Sequence, residues 1–493
     1  MAAVALPMNR ALSLELTLNR LLWPVPLVRW RAARVVRDLI ENPATRATST
    51  DALLAALRSA ELESDVCAVL TVLLMVEKAS LPELEDVRSH ILQHSILADI
   101  LLHEIYGSSG GTDWRHAHSG TAPLSFEESE YFTRYRTQHV PPQLLNSLVN
   151  VEEATGLPFT RQWGFEWQQL CDRTGAQYTE FPYYFCDFGE MRDGVVGQFS
   201  PRQSELYRSA YLRTFAIAVS EWGFPQREAG PYVSEVSPSI RGLFEVDPVE
   251  RPAWLSDFPE RCAAEPDDLE ALLRAMVANR PADGRALVSL HAPLDGTVER
   301  FGDVTLTSYL VSADFVAPAR HPAVPTAVLM AHTGLTIDQP LCATMPDEVR
   351  VEGLHGDALP VCSSLLPLPH GLWHGHLHST GIPVPNSFVA PGHTFIQADR
   401  NRLSLRQEDV DISTTRYWLD HWSPNYPLSG GSTRCGAWAI MDQALLMAYA
   451  SMTGRQLAWS ARLRIWRREK DYGPFELVER TLFLTAQASG AAQ

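Results

Sequence analysis

The spacing of apolar residues changes period once along this chain, and that change decides most of what the chain can fold into. From Ala11 to Tyr106 apolar side chains recur every three or four positions, as they do on one face of a helix. Beyond Ala282 the runs ALVSLHA, DVTLTSYLVS, PTAVLMAH, EVRVEG, NSFVA and HTFIQA are short, rich in Val, Ile, Leu, Thr and Phe, and bounded by Gly, Pro and Asp, which is the pattern of strands. With 493 residues the chain exceeds what a single core holds. The predicted class is therefore an α+β multidomain fold, with an all-helical N-terminal part followed by a mixed or antiparallel sheet domain with few helices. The expected divisions are a helical module over 1–106, a second helical segment over 107–224, a linker with a short helix over 225–282 and the α+β domain over 283–493.

Within the first module the spacing predicts helices near 11–22, 27–41, 49–59, 64–78 and 83–105, the last opened by a capping box of Ser80 and Glu83. Two of these segments, LVRWRAARVVRDLIEN (Leu27 to Asn42) and DVCAVLTVLLMVEK (Asp65 to Lys78), set small Ala residues beside an apolar stripe. In this they resemble the helices of a HEAT-like repeat, over about 80 residues. The resemblance implies a stacked helical module that docks a protein partner. Further helices are expected at 126–138, behind a capping box of Ser125 and Glu128, at 141–154, and from Pro201 to the stop at Gly223. The aromatic-rich segment from Trp163 to Phe188 reads as helix-packing core. Near the C-terminus one helix is expected over 436–452, and two alternating strands joined through KDYGP form a hairpin.

Composition removes several function classes. Only two lysines occur, Lys78 and Lys470, and neither follows a Gly-rich turn, so the phosphate-cradling loop of a P-loop NTPase is absent. Schiff-base chemistry and the protein-kinase lysine are disfavoured on the same ground. A formal net charge of -17 argues against a nucleic-acid partner, since that affinity comes from Lys and Arg displacing counterions. Seven scattered cysteines without a C-x-x-C pair suggest neither a disulfide framework nor a zinc ribbon and fit a reducing, cytoplasmic setting. The N-terminus lacks the layout of a signal peptide, and no apolar run has the length of a membrane span. G-S-S-G-G at 107–111 matches a nucleophile elbow only in letters, because a helix precedes it and a loop follows.

Two constellations remain. Between Pro367 and Asp399 lie His370, His374, His376, His378 and His393, and other predicted strands end near His291 and His332. Residues two apart on an extended strand face one side at about 6.5–7 Å, so His374 and His376 could share a metal, with His332, His393, Asp357 or Asp399 as candidates for the remaining ligands. Such a set suits zinc or iron, and an open position on the ion would activate water for hydrolysis. The second constellation is GGSTRCGAW, with Ser432, Thr433 and Arg434 placed to hold a small anion at the start of the 436–452 helix, and Trp422 and Tyr426 walling the cleft. Two functional expectations follow. The first is a non-catalytic protein of a bacterial cytosolic system, accessory to an NTPase or a defence system. Its helical part would dock a protein partner, its α+β part would sense a ligand, and neither nucleic acid nor membrane would be involved. The alternative is a metal-dependent hydrolase using the His cluster.

Overall fold

The computed structural model describes residues 6–22, 26–108, 118–128, 142–176, 201–234, 236–237, 241–255, 284–297, 300–314, 358–367, 381–385, 394–421, 434–470, 473–474 and 476–485. They form two compact units that divide between Phe244 and Glu245. The first is helical. The second is built on an antiparallel sheet with few helices, so the fold class is α+β.

The helical unit is organised around the helix Glu63–Met75, of whose 13 residues all but Ala68 are buried. Its sequence ESDVCAVLTVLLM is apolar around most of its circumference, which suits a helix surrounded on every side. It packs against Pro26–Glu41, Arg46–Ser59, Ile96–Tyr106 and Pro201–Glu221. The helix Phe159–Thr174 lies along Pro201–Glu221, stacking Trp163 on Trp167 with ring centroids 5.5 Å apart. Both rings are buried, as expected for core aromatics.

Buried ions tie these helices together. Arg213 donates to Glu63 Oε1 through Nε at 2.8 Å and lies 3.7 Å from Glu166 Oε2 through its NH1 nitrogen. Glu166 in turn accepts from the backbone N–H and the hydroxyl of Ser119 at 2.7 and 2.8 Å. Burial pushes the Glu166 carboxyl above its ordinary pKa, and the Ser119 donors and Arg213 offset only part of that rise. Glu205 behaves oppositely: burial alone would raise it, but Arg29 and Arg208 hold it down to about 2.

Several boundaries differ from expectation. The segment expected as one helix over 83–105 is two, Leu84–His90 and Ile96–Tyr106. Ser95 makes the break, its Oγ accepting from Ala98 N at 3.1 Å as the N-cap of the second. Ser80 lies in a 3-10 turn rather than a capping box, and its hydroxyl accepts from Arg46 at 2.8 Å instead. Residues 126–128 are irregular, and the rest of the helix expected behind Ser125 lies outside the described residues. No helix among the described residues is long and apolar enough to cross a membrane.

In the second unit, strands β1 (Arg285–Thr297), β2 (Arg300–Val311), β3 (Ala358–Pro360), β4 (Cys362–Pro367), β5 (Gly381–Pro385), β6 (Thr394–Asp399), β7 (Arg402–Gln407), β8 (Val410–His421), β9 (Arg434–Asp442), β10 (Gln456–Arg467) and β11 (Glu476–Thr485) are described. The main sheet runs β11-β10-β2-β1-β9-β8-β7-β6 with β3 added beside β2, and its ladders are antiparallel. A separate ribbon pairs β4 with β5. The strands expected from ALVSLHA, DVTLTSYLVS and HTFIQA are β1, β2 and β6, and the expected terminal hairpin is β10 and β11. Those expected from PTAVLMAH, EVRVEG and NSFVA lie outside the described residues.

The main correction falls on the expected 436–452 helix. Arg434–Asp442 is a central strand, and the helix starts only at Gln443, where Asp442 caps it by accepting from Leu445 N at 2.8 Å. A strand with a neighbour on each side reads as an unbroken apolar run, here AWAIM, which period alone cannot tell from buried helix. Gly436 marks the strand, because Trp418 of β8 lies on it and a Cβ there would overlap the indole ring. Trp418 is 1% exposed and meets Trp438 at 5.6 Å between centroids.

Two outcomes are expected from this packing. Gly436→Ala should destabilise the protein by about 2–3 kcal/mol, because the Trp418 ring has nowhere to move; urea unfolding followed by tryptophan fluorescence measures it. Glu205→Gln should cost roughly 2 kcal/mol at neutral pH by leaving Arg29 and Arg208 without their counter-charge. The stability that ionised Glu205 adds is present above the ordinary carboxylate value of 4.5 and is lost as pH falls toward about 2. The variant should therefore show a flatter acid limb, which urea titrations at neutral pH and at about pH 3 would reveal.

Candidate functional site

The hairpin β7–β8 carries a cluster of charged side chains. Residues 402–406 read R-L-S-L-R, a strict alternation that puts Arg402, Ser404 and Arg406 on one face and buries Leu403 and Leu405 on the other. Register then decides which side chains of β8 join them. Arg406 pairs with Asp411 and Leu405 with Ser413, so Ile412 is an extra residue, a β-bulge. Asp411 and Arg416 are five positions apart and would face opposite ways on a regular strand. The bulge restores both to the face of Arg402, Ser404 and Arg406, with Thr414 between them.

Neighbouring strands complete the site. From β1, Arg285 reaches over to donate to Thr414 Oγ1 at 2.9 Å. From β6, Gln397 accepts from Arg406 at 2.6 Å and Asp399 accepts from Arg402 Nε at 2.9 Å. Asp411 bridges two guanidinium groups, at 3.3 Å from Arg402 and 2.9 Å from Arg406. The result is a cleft of about 480 Å³ lined by Arg285, Gln397, Asp399, Arg402, Arg406, Asp409, Val410 and Asp411.

Arg416 stands at the back of this cluster, directly opposite Trp438 on β9 and two residues before the buried Trp418. Among the described residues it has no carboxylate partner, and its buried Nε makes no hydrogen bond. Burial first, then repulsion by Arg402 and Arg285, push its guanidinium below its ordinary pKa, although an Arg stays charged near neutrality. Arg285 likewise hydrogen-bonds only a hydroxyl. The hydroxyl of Ser404, a residue 1% exposed on the same face, is buried without a partner. Four arginines thus share one face with the carboxylates of Asp399 and Asp411, and the acids pair only with Arg402 and Arg406. Asp409 lines the cleft as well, so the three lining arginines meet three aspartates, and Arg416 stands behind that lining.

This arrangement can bind an anion. Its lining holds no His, Cys or Lys that would move a proton near neutral pH, and guanidinium forks match carboxylate or phosphate oxygens two at a time.

The residues singled out from sequence fare differently. His332, His374, His376 and His393, the expected metal ligands, lie outside the described residues, as do Trp422, Tyr426, Ser432 and Thr433. Among the described residues no group of three or more His, Cys, Asp or Glu side chains is arranged to hold a metal. Arg434 is described only in its backbone, as the first residue of β9 opposite His421. It stands in a strand eight residues before Asp442, the cap of the helix, so the helix start expected beside it lies further along the chain. Arg285, Arg402, Arg406 and Arg416 were not picked out by the sequence reading, yet the signal was present in R-L-S-L-R and in the turn that follows it.

Two other groups with catalytic potential are inert as placed. His118 Nδ1 accepts from Gly120 N at 3.1 Å, which leaves the proton on Nε2; that nitrogen donates to Ser220 Oγ at 3.1 Å and cannot take its proton. Burial pushes the Cys67 and Cys171 thiols up to about 12, and raises that of Cys362 too, so none of the three is a thiolate at neutral pH.

Compared with protein-family models and with curated proteins, the chain matches neither any family nor any curated relative.

Proposed function

We propose that this protein is a ligand-sensing and partner-docking protein whose sheet unit binds a small anion in the cleft lined by Arg285, Arg402 and Arg406, with Arg416 behind them. The observation that carries this reading is Arg416. A half-buried guanidinium flanked by two others and lacking an acid is costly in a resting fold. It is most simply accounted for by an anion that enters and balances it.

The helical unit is the partner-docking half of the proposal, in the manner of stacked helical modules such as HEAT-like repeats.

The test is a substitution that keeps packing and removes charge. Arg416→Met retains the apolar stem against Trp438 and should leave ligand-free stability within about 1 kcal/mol of the parent, or raise it. Millimolar inorganic phosphate should raise the melting temperature of the parent by about 2 °C and should not shift the variant. A strongly destabilised Arg416→Met protein whose parent also ignores phosphate would make Arg416 a structural residue and end the proposal.

A further inference from the structure

Pairing within the lining of the cleft leaves one charge of each sign over. Arg402 is engaged by Asp399 and Asp411, and Arg406 by Asp411 and the amide oxygen of Gln397. Arg285 hydrogen-bonds only the hydroxyl of Thr414, and the Asp409 carboxylate makes neither an ion pair nor a hydrogen bond among the described residues. These two do not pair with each other, because the hairpin holds them apart. Arg285 is tied at Thr414, which faces Ser404, whereas Asp409 lies in the turn that follows Gln407, three residues further along β7. At about 3.3 Å per residue, roughly 10 Å of hairpin separates them.

We infer that the ligand of this cleft is a small zwitterion, whose carboxylate meets Arg285 and whose ammonium group meets Asp409, as in an amino acid with its two charges at opposite ends. This rests on the anion-binding reading above and gives that anion a second, cationic end. The lining sets three arginines against three aspartates, so a bare anion gains Arg285 but faces the Asp409 carboxylate across the cleft. A molecule carrying both signs meets a complementary charge at each end and leaves the existing pairs in place.

Both ends are held in place before a ligand arrives. The carbonyl oxygen of Asp409 accepts from Arg406 at 2.8 Å, which pins the turn while the side chain stays exposed. Arg285 is half-buried and donates to Thr414 Oγ1 through its NH1 nitrogen alone. A guanidinium group has five N–H donors, so its remaining ones are available to the two oxygens of a carboxylate.

The rest of the lining describes the middle of the ligand. Val410, next to Asp409 and 64% exposed, is the one apolar lining residue, and it suits a short aliphatic spacer. No aromatic ring among the lining residues offers a surface on which a flat ligand could stack. A volume of about 480 Å³ admits a molecule the size of an amino acid or a dipeptide.

Equilibrium dialysis of the full-length protein against ε-aminocaproate, caproate and hexylamine, at an ionic strength of about 0.02 M, tests the inference. The three share one aliphatic chain and differ only in the charges at its ends. The zwitterion is expected to bind about fivefold more tightly than either singly charged molecule, which is the scale of an exposed ion pair. Asp409→Asn should lower ε-aminocaproate to the level of caproate and leave caproate itself nearly unchanged, whereas Arg285→Gln should weaken both. The ranking in the parent needs no variant, so it decides the matter even if a substitution disturbs the turn. Equal affinities for ε-aminocaproate and caproate, with phosphate still raising the melting temperature of the parent, would overturn the zwitterion and leave anion binding standing. An advantage of ε-aminocaproate that survives Asp409→Asn would do the same. Failure of caproate, ε-aminocaproate and phosphate alike to bind would remove both.

Discussion

The register of β8 against β7 is the constraint from which the candidate site follows. In a pleated strand a shift by one residue exchanges the two faces, so an inserted residue acts as a switch of facing. Ile412 is that residue. Before it, Asp411 faces the arginines; after it, Thr414 and Arg416 do, while Ser413, Thr415 and Tyr417 are buried on the opposite side. Without the bulge, Asp411 would be carried away from Arg402 and Arg406, and the two ion pairs that hold those guanidinium groups could not form alongside Arg416. A single extra residue therefore determines both the charge of the cleft and the orientation of its donors.

The helical unit shows what this chain does with a buried cation when its purpose is structural. Arg213 spans Glu63 and Glu166, and Arg29 with Arg208 flank Glu205, so each of these guanidinium groups meets a carboxylate. Removing one partner of such a pair strands the other, which makes these contacts effective at fixing one packing of the helices around Glu63–Met75. In the sheet unit Arg285, Arg402 and Arg406 line the cleft together with Asp399, Asp409 and Asp411.

What could be read from sequence followed the strength of local periodicity. The helices Pro26–Glu41, Glu63–Met75 and Pro201–Glu221 and the strands β1, β2, β10 and β11 carry long, regular apolar spacing, and no tertiary contact competes with it. Segments went astray where a single side chain decided the outcome. Ser95 splits one apparent helix in two by capping the second half, and Asp442 defers the C-terminal helix by seven residues. Gly436 looked like the first turn of that helix, although its real role is to make room for Trp418 from the neighbouring strand, a relation invisible until the strands are paired. The arginine cleft was half legible. The alternation at 402–406 is explicit, but the arrival of Arg285 from β1 and the bulge at Ile412 are facts of strand order and register, which no local pattern encodes.

The acids of the cleft raise a question of design, because they compete with any incoming anion. Long Arg side chains lose much rotamer freedom on being ordered, and a cluster of them without acids would repel itself open. Asp399 and Asp411 counter both effects by holding Arg402 and Arg406 in bonded positions, at 2.9 Å in each case, before a ligand arrives. The ordering entropy is then spent during folding and not during binding, which favours affinity.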